Sequence, residues 1–388
     1  MSTPSYKLLK VDSNSESADV FWLAGEHSGD QHAALVAQEL AQLHPELKQV
    51  AVGGAALEAA GLPLLHDLTE RSVVGLVEVL KHYSYFKKLF AEVMDWIRDN
   101  PPKVLVLVDY PGFNLRLAEA LFKEGLSQKA GGPVAIYYYI GPQVWAWKAK
   151  RRFKMAKLLG ELGVILPFEV DTFADTDLKV NFVGHPFLAE GHEEPVTFDP
   201  EGDLLLLPGS RLQPIRRIYP AMLDAVEAWR KRNPAAASVT VSTLGANAAL
   251  SNELRVLAVG RDFEVIILEK KEDIRARAVL TSSGTMSMHC ALAGVPGAIV
   301  YRANYLTYLI GRRIIKIPYL GLSNLILGRT MYPEFIQGDA DPNRLAEEMD
   351  ACLGEERRDQ AATDAMDLRK ALSQPTSSSA ARRISSFL

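Results

Sequence analysis

Four short polar stretches in this chain carry residues able to do chemistry, and each follows an apolar run. The first is Gly25-Glu26-His27-Ser28-Gly29-Asp30, and the second is Asp109, ahead of Tyr110-Pro111-Gly112-Phe113-Asn114. The third is Leu207-Pro208-Gly209-Ser210-Arg211, and the fourth is Ser282-Ser283-Gly284-Thr285. A strand that ends in such a turn and leads into a helix aims backbone N–H groups and the positive helix end at one spot, which suits phosphates and sugars. In the first stretch, Ser28 or Asp30 can instead cap the helix that begins near Gln31, although capping explains one polar residue and not four. Asp109, partly desolvated at a strand end, suits a general base toward a hydroxyl nucleophile; capping the following Pro-Gly turn fits it equally well. Arg211 can clamp phosphate oxygens with its planar fork. The hydroxyls and N–H groups of 282–285 can receive a diphosphate, as can those of many ordinary strand-to-helix turns.

The elements that must position these residues read as parallel α/β sheets, because short apolar runs alternate with helical periods. Strands are expected at 20–24, 49–52, 104–109, 134–139, 162–166 and 179–183. A second series is expected at 204–207, 238–242, 263–268, 278–281 and 298–301, with helices such as 214–232 and 246–259 between. A chain of 388 residues exceeds what one core usually serves, and 48% hydrophobic residues can fill two. The expected division is a first Rossmann-like domain over 1–188 on the acceptor and membrane side, and a linker over 189–203. A nucleotide-sugar-binding Rossmann-like domain over 204–365 follows, with a C-terminal helix and tail over 366–388 whose packing back on the first domain is left open.

A net charge of −4 argues against general nucleic-acid binding. Two cysteines, Cys290 and Cys352, are too few for a disulfide scaffold and lack zinc-ligand spacing, which fits a reducing compartment. The polar first nineteen residues carry no signal-peptide stretch, and no apolar run is long enough to span a bilayer. A cytoplasmic protein able to touch a membrane is the expectation. Asp175-Thr176-Asp177 spells an acid-x-acid metal pattern but sits away from the polar strand ends, so it reads as a solvated turn, and no metal or cofactor is expected.

The residues carry a family resemblance. Ala24-Gly25-Glu26, Val52-Gly53-Gly54, Val74-Gly75-Leu76-Val77-Glu78-Val79-Leu80, Asp109 and Phe113-Asn114-Leu115 come first. Val144-Trp145-Ala146-Trp147, Pro167-Phe168-Glu169, Gly184-His185-Pro186, Gly209-Ser210-Arg211, Ser283-Gly284-Thr285, Val300-Tyr301-Arg302 and Asn324-Leu325-Ile326-Leu327-Gly328-Arg329 come after them in order. Together, from about residue 20 to about 340, they make the chain resemble the lipid-A-disaccharide synthase family. The resemblance implies a GT-B fold, two Rossmann-like domains facing an interdomain cleft. It also implies an inverting transfer of 2,3-diacylglucosamine from its UDP conjugate to 2,3-diacylglucosamine 1-phosphate with release of UDP. On that resemblance Asp109 is the base for the acceptor hydroxyl and Glu26 the second catalytic carboxylate, with Gly25, Ser28, Gly29 and Asp30 lining the acceptor side. Ser210, Arg211, Ser283, Gly284, Thr285, His289, Asn324, Arg329 and Gln337 are assigned to the nucleotide and its phosphates.

Membrane and acyl contact is assigned to Val73, Val74, Leu76, Val77, Leu80 and Phe86, in a stretch more apolar than one core-facing stripe requires. Burial in the first domain's core is the competing reading. A second patch, Lys148-Ala149-Lys150-Arg151-Arg152-Phe153-Lys154, can attract anionic lipid or substrate phosphate, or simply be a solvated helix face. The implied setting is peripheral, on the cytoplasmic face of the inner membrane, with a homodimer left open. His289 departs from the family, which places a glutamate there for the ribose; an imidazole cannot offer a carboxylate's two-oxygen grip. A UDP-N-acetylglucosamine 2-epimerase-like enzyme and a non-catalytic relative of the same fold are the alternatives.

Overall fold

The computed structural model describes residues 8–11, 17–69, 83–189, 192–269, 273–304, 308, 313, 317–373 and 379–388. The chain divides into two compact units, Met1–Pro186 with Gln374–Leu388, and Phe187–Ser373.

The first unit is built on seven parallel strands, β1 Val20–Ala24, β2 Gln49–Gly53, β3 Leu64–Asp67, β4 Val104–Val108, β5 Ala135–Tyr139, β6 Glu161–Val164 and β7 Lys179–Phe182. Every residue of β1, β4 and β5 is buried, as expected of parallel strands covered by helices on both faces. The order is β3-β2-β1-β4-β5-β6-β7, so the direction of winding reverses between β1 and β4. Ligands of open α/β sheets bind at that reversal, outside the carboxyl ends of the strands. One face is packed by the helices Tyr83–Asp99 and Pro111–Lys123, which contribute Val93, Ile97, Leu117 and Leu121. The other face is covered by His27–Leu43 and by the chain's last helix, Ala380–Ser385, through Ala33, Ala37, Leu40 and Ile384.

The second unit repeats the plan with six parallel strands, β8 Val196–Leu207, β9 Val241–Leu244, β10 Val265–Leu268, β11 Ile274–Thr281, β12 Gly297–Tyr301 and β13 Glu334–Ile336. Their order, β10-β9-β8-β11-β12-β13, places the reversal between β8 and β11. The 21-residue helix Leu212–Arg232 supplies Ile215, Tyr219, Met222, Val226 and Trp229 to the core.

Several expectations are redrawn by pairing. β3 and β13, short runs too weak to read alone, are strands because β2 and β12 offer open edges. β8 begins at Val196, inside the stretch read as linker, and pairs with Ile274 before the register shifts. Residues 366–372 belong to the helix Glu355–Leu372 of the second unit, whereas the last helix lies in the first.

Candidate functional site

At the reversal in the first sheet, Ala24 and Val108 are register partners, so the turns after β1 and β4 emerge side by side. Asp109 and Tyr110 both hold left-handed backbone, with φ of 44° and 47°. Such conformations cost non-glycine residues about 1–3 kcal/mol each and persist only where the surroundings enforce them. Here the enforcement is visible at the Asp109 carbonyl oxygen. It accepts from Tyr138 Oη at 2.5 Å and from Asn114 Nδ2 at 2.7 Å, while the Asp109 N–H donates to Tyr139 O at 3.1 Å. Gly25 faces the Tyr110 ring so closely that a Cβ would lie 2.2 Å from Cδ1, which explains the glycine. A Cβ on Gly29 would sit 3.9 Å from that of Asp109, so the start of the helix His27–Leu43 passes directly beside the carboxylate.

Burial is the main cause that pushes the Asp109 carboxyl up to about 6, and the nearby negative charge of Glu26 adds to it. The same two causes, with Tyr85, push the Tyr110 phenol up to about 12. Glu26, His27 and Ser28 are exposed, and neither the helix His27–Leu43 nor Pro111–Lys123 has a side-chain cap. Their N–H groups are left for whatever binds there.

Asp30 has a different task from the one expected of it. It is fully buried, and its carboxylate accepts from the N–H groups of Gly54 at 2.7 Å and Ala56 at 2.9 Å. It therefore caps the helix Ala55–Ala59 from a neighbouring helix, and it does not cap its own.

In the second unit, Gly209, Ser210, Thr281, Ser282, Gly284 and Thr285 line a pocket at the carboxyl ends of β8 and β11. Gly209, with φ of 115°, lets the chain turn, and a Cβ there would crowd Ser282 Oγ at 3.3 Å. The helices Leu212–Arg232 and Thr285–Leu292 both begin without a side-chain cap. Ala248–Ala258 and Pro342–Leu353 are capped by Asn247 and Asp341. These two uncapped ends lie at the sheet reversal, where an anion can take a cap's place. Arg211 is exposed beside them, with no carboxylate partner among the described residues.

Three residues expected at the nucleotide are engaged elsewhere. Asn324 is fully buried and clasps the chain at Met331, Tyr332 and Glu334 through four hydrogen bonds, the longest 3.0 Å. Arg329 pairs with Asp364 at 2.6 Å and Asp367 at 2.7 Å, which ties it to the helix Glu355–Leu372. Gln337 bonds both backbone polar groups of Ala303, so only its flank borders an open hollow with Arg217 and Arg302. His289 stacks on Phe187, with ring centroids 4.0 Å apart, and lies parallel to His192 at 5.5 Å.

Val73, Val74, Leu76, Val77 and Leu80 lie outside the described residues. Phe86 is half-buried and packs on the first unit's core, its ring 5.2 Å from that of Tyr85. Asp175 is held by Arg152 through two hydrogen bonds, as befits a surface turn. Among the described residues no helix is long and apolar enough to cross a membrane.

Tyr138 and Asn114 support the Asp109 turn, although neither sits at a polar strand end. Asn114 stands in the Phe113-Asn114-Leu115 block, but nothing local marks Tyr138, whose hydroxyl finds Asp109 only because β4 and β5 pair. Glu169, buried and bonded to Trp145 Nε1 at 3.1 Å, is pushed up to about 7 by burial.

The chain from residue 20 to 387 matches the family model described as lipid-A-disaccharide synthetase. A lipid-A-disaccharide synthase of Geobacter metallireducens is 35% identical over 346 residues, covering 85% of this chain and 86% of the relative. The chain belongs to the lipid-A-disaccharide synthase family. A lipid-A-disaccharide synthase 1 of Legionella pneumophila strain Paris is 36% identical over 348 residues, covering 84% and 85%. Members of this family are glycosyltransferases, specifically hexosyltransferases, of lipid A biosynthesis, and so is this chain.

Among solved structures, UDP-GlcNAc 2-epimerase from Neisseria meningitidis aligns with a TM-score of 0.59 at 12% identity, covering 91% of this chain and 96% of that one. The kitacinnamycin glycosyltransferase aligns with a TM-score of 0.56 at 12% identity, covering 95% and 99%. Both share the GT-B fold of two Rossmann-like domains, and a shared fold does not transfer the epimerase's activity.

Proposed function

We propose that this family member joins UDP-2,3-diacylglucosamine to 2,3-diacylglucosamine 1-phosphate with inversion at the anomeric carbon. The observation that carries this reading is Asp109, a partly buried carboxyl raised to about 6 on a backbone fixed by Tyr138 and Asn114. A carboxylate with that affinity for protons is a competent base near neutral pH. It takes the proton of the acceptor hydroxyl as the oxygen attacks the anomeric carbon. The bond from that carbon to the UDP oxygen breaks, and its electron pair leaves on the diphosphate. Arg211 and the turn Ser283-Gly284-Thr285, with Ser210, Gly284 and Thr285 lining the pocket, supply the positive charge and N–H donors that receive it. The first unit thus takes the acceptor, with Gly25, Glu26, Ser28 and Gly29 around it, and the second takes the donor.

Both substrates carry acyl chains, which supports a peripheral protein working on the cytoplasmic face of the inner membrane. His289, stacked on Phe187, offers the donor an imidazole where a carboxylate is usual. Incubation of the purified protein with both substrates should yield the β-linked disaccharide and UDP. Epimerised UDP-sugar without disaccharide would refute the reading. In Asp109→Asn, kcat should fall about a thousandfold, the scale of a lost general base, with UDP affinity within about twofold. Near wild-type turnover in that variant would remove Asp109 from the role.

A further inference from the structure

Residues 146–157 carry six cations, Lys148, Lys150, Arg151, Arg152, Lys154 and Lys157, and no acid, in a chain whose net charge is −4. Arg152 is paired with Asp175 and Lys154 with Glu119; the other four have no carboxylate partner among the described residues. Within this stretch Trp147 and Phe153 are 47% and 49% exposed, although Met155 and Leu158 of the helix Arg151–Leu158 are buried. The cations cover the rings: Lys148 Nζ lies 4.3 Å from the Trp147 centroid and the Arg152 guanidinium 4.4 Å from that of Phe153.

Stability does not account for this arrangement. Two large apolar rings in water forgo burial. Two arginines in the first helical turn face the positive end of the helix dipole, where acids would be favourable. An amphipathic indole flanked by long cationic side chains suits the boundary between lipid headgroups and acyl chains. We propose that residues 147–157 form a docking surface for an anionic lipid bilayer. The patch is tied to the element that presents Asp109, since Lys154 bonds Glu119 at 2.6 Å on the helix Pro111–Lys123. Docking there brings the base toward the surface that holds acylated substrates. This deepens the proposed peripheral membrane setting and rests on it.

The test is co-sedimentation of the full chain with vesicles containing phosphatidylglycerol, against vesicles of phosphatidylcholine alone. The wild type should partition onto the anionic vesicles with a blue shift of tryptophan emission. Each surface cation contributes roughly fivefold to such partitioning, so Lys148→Gln with Lys150→Gln should weaken it about 25-fold. Trp147→Ser with Phe153→Ser should abolish the blue shift. Both variants should keep wild-type turnover of detergent-dispersed substrates. Partitioning of both variants within twofold of wild type, or equal wild-type binding to phosphatidylcholine, would overturn the proposal. So would loss of detergent-phase turnover, or binding of single-stranded RNA in place of vesicles. A wild type that binds vesicles through this patch yet forms no disaccharide would leave the docking surface standing and refute only the proposed reaction.

Discussion

At the scale of single residues, two contacts decide what Asp109 can do. Glu26 adds negative charge beside it, and its removal should ease ionisation of Asp109. With Asp109 as the proposed base, kcat/KM should rise with pH through about 6 and be lost below it. In Glu26→Gln that acid limb should move to lower pH, stopping short of an exposed aspartate's value because burial remains. A pH–rate profile measures it, and an unmoved limb would show that Glu26 does not reach Asp109. Tyr138 acts through the Asp109 carbonyl, which it bonds at 2.5 Å. Tyr138→Phe removes about 1 kcal/mol of the restraint on a left-handed residue. Turnover should drop about fivefold with KM within twofold; a change in KM alone would reassign the tyrosine to substrate binding.

Among elements, the helix Ala55–Ala59 depends on a carboxylate from outside itself. Asp30 satisfies the N–H groups of Gly54 and Ala56, and it approaches because Gly54 has no Cβ, which would lie 2.8 Å from Oδ2. Asp30→Ala leaves buried donors without partners and should cost about 3 kcal/mol, seen as a lower urea midpoint. Asp30→Asn keeps an acceptor and should recover most of the loss. Equal losses in both variants would show that the negative charge, and not the cap, is what matters.

For the molecule as a whole, the chain's end belongs to the unit where it began. Arg383 donates two hydrogen bonds to Glu161, at 2.5 and 2.8 Å, and Glu161 is 1% exposed in β6. Lys179 and Asn181 complete the carboxylate's partners at 2.9 and 2.7 Å. Arg383→Ala leaves a buried charge with half its compensation, which should destabilise the first unit by about 2–3 kcal/mol. Four of the five tryptophans lie in that unit, so a urea titration followed by fluorescence reads it directly. An unchanged midpoint would show that the last helix is dispensable for the first unit's stability.

Sequence by itself determined the alternation of strands and helices, because fully buried parallel strands such as Val104–Val108 must be continuous apolar runs. It also determined where the polar turns sit, since chain order fixes which residues come after each strand. The family was legible in blocks spread along the chain. Tertiary structure alone decided what each polar residue faces. Asp30 bonds backbone groups 24 and 26 residues away, and Asn324 bonds backbone groups 7 and 8 residues away together with the Glu334 carboxylate. Tyr138, inside a strand, holds the Asp109 carbonyl. The physical reason is the same in each case. A buried polar atom must find a partner, and which partner is near depends on strand order and register. Neither is written in local spacing.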